Sequence, residues 1–523
     1  MPANAVVETD LCIIGAGAAG ISIAREFAGG ALRVALVESG GFTADPGTNA
    51  LNRARSEGIA YPMLPGCRMR LFGGSTTHWA GRCRPYEESD FARRPWIPGS
   101  GWPFDRAHLD PYYARAGRLC ELPDLDWRVA ALEKRVGAPA LALDSPDVES
   151  SVFYMSPPTR FGTTYRPPLQ HARNIRIYLH SNLLEFETDE TAARVRSARL
   201  RGLGGNEFRL KARAFVLAGG GLENPRLLLL SNRVQKAGLG NAQDLVGRHF
   251  MDHPNIQAGI FAPSKPRADL RFYKLWPTSK AGEKVPSMGW LSLTARAARR
   301  EKIGNYTAAL VRIHQPKPRK KASLPPLLEH AEARVPEDVF SRHVTRAMAN
   351  LDSDGSPLSH LRERFAAAHQ PVTYQLISST EMAPNAASRV RLGSERDALG
   401  QPRLVLDLAG SELDRKTVQR GTEILAYHLA RAGLGRVKLT YDAKEPWQEI
   451  RGRCHHMGTT RMSDDPRQGV VDANCRVHGV SNLFVTGSSV FPTGGAGVAT
   501  LTIVALALRL AEHLGRRFEE GKA

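Results

Sequence analysis

A mixed α/β fold, α+β overall, is predicted by three observations. A short apolar run, Asp10-Leu11-Cys12-Ile13-Ile14, breaks into Gly15-Ala16-Gly17-Ala18-Ala19-Gly20 and then into a helical apolar pattern through Ile21, Ile23, Ala24 and Phe27. A second run, Arg33-Val34-Ala35-Leu36-Val37, stops at the acid Glu38, and a third, Ala214-Phe215-Val216-Leu217-Ala218, runs into Gly219-Gly220-Gly221. Strand, glycines, helix, strand and acid in this order are the Rossmann-like dinucleotide context.

Each part has a physical reason. The apolar runs carry no polar alternation, as expected of parallel strands buried on both faces. Gly15 permits the tight turn, Gly17 lets a pyrophosphate approach the backbone, and Gly20 lets helix and strand pack closely. The helix start adds free N–H groups and a positive dipole end. Glu38 is placed to accept from an adenosine ribose hydroxyl, and acidic chemistry there disfavours a 2′-phosphate. The later glycine turn suits the same sheet, and no second complete fingerprint is present, which argues against a pyridine-nucleotide disulfide reductase. At the other end, Cys454-His455-His456-Met457-Gly458-Thr459-Thr460-Arg461-Met462 offers two imidazoles ahead of a turn. A neutral imidazole can take a proton at physiological pH. Leu483-Phe484-Val485-Thr486-Gly487-Ser488-Ser489 reads as a buried strand breaking into a turn that allows close ligand approach.

Composition narrows the class. At 523 residues the chain exceeds the size at which one core keeps growing, so two interleaved domains are expected. A mean hydropathy of −0.31 is ordinary for a globular protein. No apolar run reaches the roughly 18 residues of a membrane span, and the longest, 498–508, belongs to an amphipathic helix. The N-terminus has no basic or apolar leader pattern, so a cytoplasmic location is expected. Six scattered cysteines without a Cys-x-x-Cys pair are expected as reduced thiols. The net charge of +19 is spread along the chain, and its one dense cluster, Lys317-Pro318-Arg319-Lys320-Lys321, reads as a solvated loop. Nucleic acid is therefore not expected as a partner, while peripheral membrane contact stays open. No metal site is expected, since Asp464-Asp465 beside Pro466 reads as a surface turn.

With these residues in place, the chain resembles the glucose-methanol-choline (GMC) oxidoreductase family, in the branch with pyranose 2-oxidase and bacterial glucoside 3-dehydrogenases. The resemblance rests on the N-terminal glycines, Leu71-Phe72-Gly73-Gly74-Ser75-Thr76-Thr77-His78-Trp79-Ala80-Gly81, the 216–226 segment, Val246-Gly247-Arg248-His249-Phe250-Met251-Asp252-His253-Pro254 and the C-terminal signature. Residues 383–392 resemble the start of the family's substrate-domain sheet, and 262–374 carry little that is recognisable. The resemblance implies a discontinuous FAD-binding domain over 1–93, 165–258 and 445–523, interleaved with an antiparallel-sheet substrate domain over 94–164 and 259–444. It implies FAD contacts at Gly15, Gly17, Gly20, Glu38, Gly74, Ser75, His78, Leu183, Gly487, Ser488 and Thr500. In pyranose 2-oxidase the matching His is bonded to the flavin, so a covalent link through His78 and simple packing beside the ring are both open. A structural role is expected for Arg248-His249 and Asp252-His253.

The family mechanism moves a hydride from a carbinol carbon to the flavin while a His takes the hydroxyl proton. The resemblance puts that base at His455, with His456 lining the pocket or orienting the substrate. The implied substrate is a small alcohol, most specifically a sugar, glycoside or cyclitol, and the acceptor is oxygen, a quinone or a partner protein. One departure stands out: Val498 and Ala499 occupy the place where the family carries Asn or His and Pro. Valine can neither donate nor accept, so His456 or another side chain substitutes, His455 works alone, or alcohol oxidation has been lost. A flavoprotein lyase and a binding protein that keeps FAD only as a fold element are the rival classes.

Overall fold

The computed structural model describes residues 2–61, 64, 66–265, 268–277, 285–313, 372–442 and 454–522. The 317–321 cluster and the expected domain boundary at 445 lie outside the described residues.

Five short parallel strands form the nucleotide-binding sheet, in the order Leu483–Val485, Ala214–Leu217, Leu11–Ile14, Val34–Val37 and Ile175–Tyr178. Every residue of the first four is buried, which is why the sequence shows them as unbroken apolar runs. The two ends of the chain therefore meet in one sheet, and the 214–217 strand joins it as expected. The helix Ala18–Glu26 follows the first strand, Gly220–Leu230 follows the third-read strand, and the last helix, Thr500–Glu519, buries Leu501, Val504, Ala505, Leu508 and Leu514 along one face. Each such leucine contributes roughly 1.5–3 kcal/mol by leaving water. Among the described residues no helix is long and apolar enough to cross a membrane.

A seven-stranded antiparallel sheet stands beside this unit, in the order Gly435–Leu439, Asn255–Pro263, Tyr374–Thr380, Tyr306–Arg312, Ser287–Leu293, Val148–Met155 and Arg82–Cys83. Two of its strands come from segments that the motifs tie to the nucleotide domain. Arg82–Cys83 comes directly after the 71–81 loop, and Asn255–Pro263 comes directly after His253. This interleaving brings the chemistry-bearing loops to the junction of the two sheets.

The 383–392 segment differs from expectation. Its strand, Arg389–Arg396, pairs with Pro402–Leu408, which pairs in parallel with Arg55–Gly58, in a separate three-stranded sheet. Buried charge pins this sheet to the nucleotide domain, because Arg226 of the Gly220–Leu230 helix reaches Asp397 at 2.7 Å and Glu223 at 3.2 Å. Removing one partner of a buried ion pair is strongly destabilising, so this pair binds the small sheet to that helix.

Candidate active site

Three glycines mark an open cradle along the C-terminal edge of the parallel sheet. A side chain at Gly17, Gly220 or Gly487 would meet nothing within 4 Å, and each follows one of the sheet's strands. Open sheets take ligands at this edge. Gly15 and Gly20 are instead closed in. At φ +106° a Cβ on Gly15 would lie 2.6 Å from the Ala218 carbonyl oxygen, and one on Gly20 would lie 1.9 Å from that of Gly15. Glu38 is buried and accepts from the N–H groups of Ala16 and Gly40, both at 2.9 Å. Burial raises its pKa against the opposing effect of those bonds. A carboxylate has about four lone-pair sites, so acceptor capacity remains for a ribose. Leu183 is the second residue of a strand, Asn182–Thr188, whose Asn182 accepts from Ser39 at 2.6 Å, one residue from Glu38. Thr500 is the first residue of the last helix. The glycine cradle, Glu38 and the helix starts fit an extended dinucleotide.

The 71–81 loop folds onto this cradle. Gly73 donates to the Ala16 carbonyl at 2.8 Å, and a Cβ on Gly74 would lie 3.1 Å from Cα of Gly17. Ser75 and His78 are exposed, at the start and the end of the turn Gly74–Thr77. The surrounding protein, and after it Arg160, hold the His78 pKa below its ordinary value, so the ring is neutral at pH 7.

His455 meets His253. Their Nδ1 atoms are 2.9 Å apart, and His253 Nε2 lies 3.1 Å and 2.9 Å from the carbonyl oxygens of Gly494 and Gly495. Carbonyls only accept, so His253 Nε2 carries the hydrogen. A neutral His253 ring with its hydrogen on Nε2 accepts at Nδ1. His455 therefore donates from Nδ1, and its Nε2 is the basic nitrogen. The carbonyl loop is itself fixed, since Gly495 N–H donates to Glu381 at 3.1 Å. Burial acts to raise the Glu381 pKa, but Arg94 and its hydrogen bonds hold it below the ordinary value. Asp252 sets the backbone of both histidines. One oxygen accepts from the N–H groups of His253 and His455, at 2.6 Å and 3.0 Å, and the other from the Tyr61 hydroxyl and the Cys454 N–H. Asp252, His253 and His455 present metal-ligand atoms within 4.8 Å of one another, but both carboxylate oxygens already have two donors each.

His456 has a different environment. It is buried, its ring lies 5.8 Å from those of Tyr61 and Phe250, and its Nε2 has no hydrogen-bond partner among the described residues. Burial lowers its pKa to about 4. Its carbonyl accepts from Ser488 at 2.6 Å, tying the signature to the Gly487 turn. Val498 is buried against Phe153, Met155, Met288, Trp290 and Ala309 of the large sheet. Asp252 organises backbone, while His253 touches the expected base. The motif was visible, but 202 residues separate the two rings in sequence.

The thiol expectation is overturned for one pair. Cys67 and Cys454 form a disulfide, with Cα atoms 5.3 Å apart, while Cys12, Cys83, Cys120 and Cys475 are free and buried. No local spacing signals a bond between residues 387 apart. The fold juxtaposes them by placing the segment ahead of the 71–81 loop against the residue that precedes His455.

Comparison with known proteins agrees with this architecture. A family model described as "FAD dependent oxidoreductase" matches residues 10–243, and one described as "GMC oxidoreductase" matches 384–507. These matches define an FAD-dependent flavoprotein. Within that class, the chain belongs to the GMC oxidoreductase family. The fructose dehydrogenase large subunit of Gluconobacter japonicus is 25% identical over 60% of this chain, and the match spans only about half, 49%, of that subunit. The 2-methyl-1,2-propanediol dehydrogenase of Mycolicibacterium austroafricanum is 23% identical over 98% of this chain and 96% of its own. The solved structure of pyridoxine 4-oxidase from Mesorbium loti superposes with a TM-score of 0.57 at 20% identity, covering 97% of this chain and 99% of that one, and supports the fold.

Proposed function

We propose that the protein oxidises a hydroxyl group of a sugar, glycoside, cyclitol or related alcohol to a carbonyl, with His455 as the base. The observation that carries this reading is the His253–His455 contact, which leaves Nε2 of His455 as the proton-accepting nitrogen. Bound FAD supplies the hydride acceptor. The residues that would hold it are Gly15, Gly17 and Gly20 at the pyrophosphate, Glu38 and Leu183 at the adenosine end, Gly74, Ser75 and His78 along the flavin loop, and Gly487, Ser488 and Thr500 across the opposite turn. His455 takes the hydroxyl proton, and His253 accepts from its other ring nitrogen as positive charge develops. That contact answers the departure at Val498: the missing polar partner is replaced behind the base rather than beside the substrate. His456 we assign to aromatic packing. The named relatives are dehydrogenases and an oxidase, which weighs against a lyase. Anaerobic bleaching of the flavin by a sugar or related alcohol tests the reading.

Two outcomes follow. His253→Phe removes both ring nitrogens but keeps the volume, and is expected to slow flavin reduction about 10²-fold. His253→Asn retains an acceptor where Nδ1 stood and should restore part of that rate, with FAD content equal in both. Equal rates in both variants and the wild type would contradict the positioning role. For His78, the proposal of a covalent flavin predicts a yellow pellet on acid precipitation and a colourless one for His78→Ala. Release of all flavin from the wild type would leave His78 as a packing residue.

A further inference from the structure

Among the described residues, the seven-stranded sheet carries a cation without an ion-pair partner on the face that packs against Val498. Arg82 opens the edge strand, four residues after His78, and its pairing with Met155 puts its side chain on the face that also carries Met155 and Phe153. The guanidinium lies over the Trp290 ring, 5.3 Å from its centroid. Phe153, Met155 and Trp290 form the apolar cluster that Val498 joins. Val498 in turn ends the loop whose Gly494 and Gly495 carbonyls hold His253. Arg82 and the His253–His455 pair therefore flank one loop.

Neighbouring arginines are compensated. Arg84 has Glu87 at 2.9 Å, Arg94 has Glu381, and Arg160 donates to the carbonyls of Thr76 and Trp79. Arg82 is half-buried and has no ion pair and no side-chain hydrogen bond among the described residues, and its Nε is buried without a partner. Burial alone lowers its pKa, with no charged group opposing it. A guanidinium cannot relieve this by losing its proton at working pH. An incoming anion can, through two parallel charge-assisted hydrogen bonds. A guanidinium's fork of N–H donors matches a planar carboxylate.

We propose that Arg82 binds the carboxylate of the substrate, so that the preferred substrates are polyhydroxy acids of the uronate or aldonate class. This inference rests on the hydroxyl-oxidation reading and narrows it. Anaerobic flavin reduction compares a neutral sugar, its uronate and its phosphate ester in the wild type and in Arg82→Gln. The uronate is expected to be favoured at least about 100-fold in rate per concentration over the neutral parent, and Arg82→Gln to abolish that preference by slowing the uronate far more than the neutral sugar. Equal rates for uronate and parent, preference for the phosphate, or equal slowing of all three by Arg82→Gln would overturn it, the last because Arg82 would then act on the flavin. An inert probe separates this inference from the reading beneath it. Acetate titrated into the oxidised holoenzyme should perturb the flavin absorbance in the wild type and not in Arg82→Gln, even where no compound reduces the flavin. No perturbation in either protein would overturn the carboxylate site.

Discussion

Replacing His455 by Ala is expected to slow anaerobic flavin reduction by about 10²–10⁴-fold, the usual contribution of a positioned general base. The size of the effect follows from the arrangement behind the ring. His253 fixes the tautomer, the Gly494 and Gly495 carbonyls fix His253, and Glu381 fixes Gly495. Under the proposed reading this series of contacts prepares one nitrogen for one proton, and the alanine variant discards all of it. His455 is only partly buried and its backbone N–H, which Asp252 accepts, is kept in the variant, so FAD should remain bound. The check is stopped-flow reduction of variant holoenzyme with its visible spectrum recorded before mixing. A variant that binds FAD and is reduced at the wild-type rate would remove His455 from the mechanism.

Breaking the Cys67–Cys454 bond is the second large effect. The bond closes the chain between residues 387 apart, and loss of a native disulfide costs about 2–5 kcal/mol. It also tethers the residue before the base to the segment before the flavin loop. Cys454→Ser and Cys67→Ser should each lower the thermal midpoint, and the double variant should match the singles, because either substitution already removes the whole link. Thiol titration of the denatured, unreduced protein gives the direct count: four reactive thiols are expected from the four free cysteines. Six would contradict the bond. The link also bears on location, since reducing compartments keep such pairs open, and the cytoplasmic expectation implies a bond that cellular thiols would act against.

The legibility of the fold in the sequence tracked how local each feature is. Strands 11–14, 34–37, 214–217 and 483–485 announce themselves because burial on both faces demands continuous apolar residues. The fifth strand, Ile175–Tyr178, alternates Ile with Arg and Tyr at the sheet edge and sends no comparable signal. The large antiparallel sheet assembles from segments as distant as Arg82–Cys83 and Gly435–Leu439, and pairing at that range is invisible to periodicity. At the site, the proposed base His455 is named by the family resemblance of the Cys454–Met462 signature. His253, the disulfide and the uncompensated Arg82 were not legible, because each depends on which residues the fold places opposite it.

The central claim is hydroxyl oxidation at the flavin. Mixing oxidised holoenzyme anaerobically with sugars, uronates, glycosides and cyclitols, and following the oxidised-flavin absorbance, tests it most directly. Bleaching by members of one hydroxylated class, and its loss in His455→Ala, is the result expected. Flavin that dithionite reduces but that no compound in the panel bleaches would contradict the account and favour a flavin with no redox role.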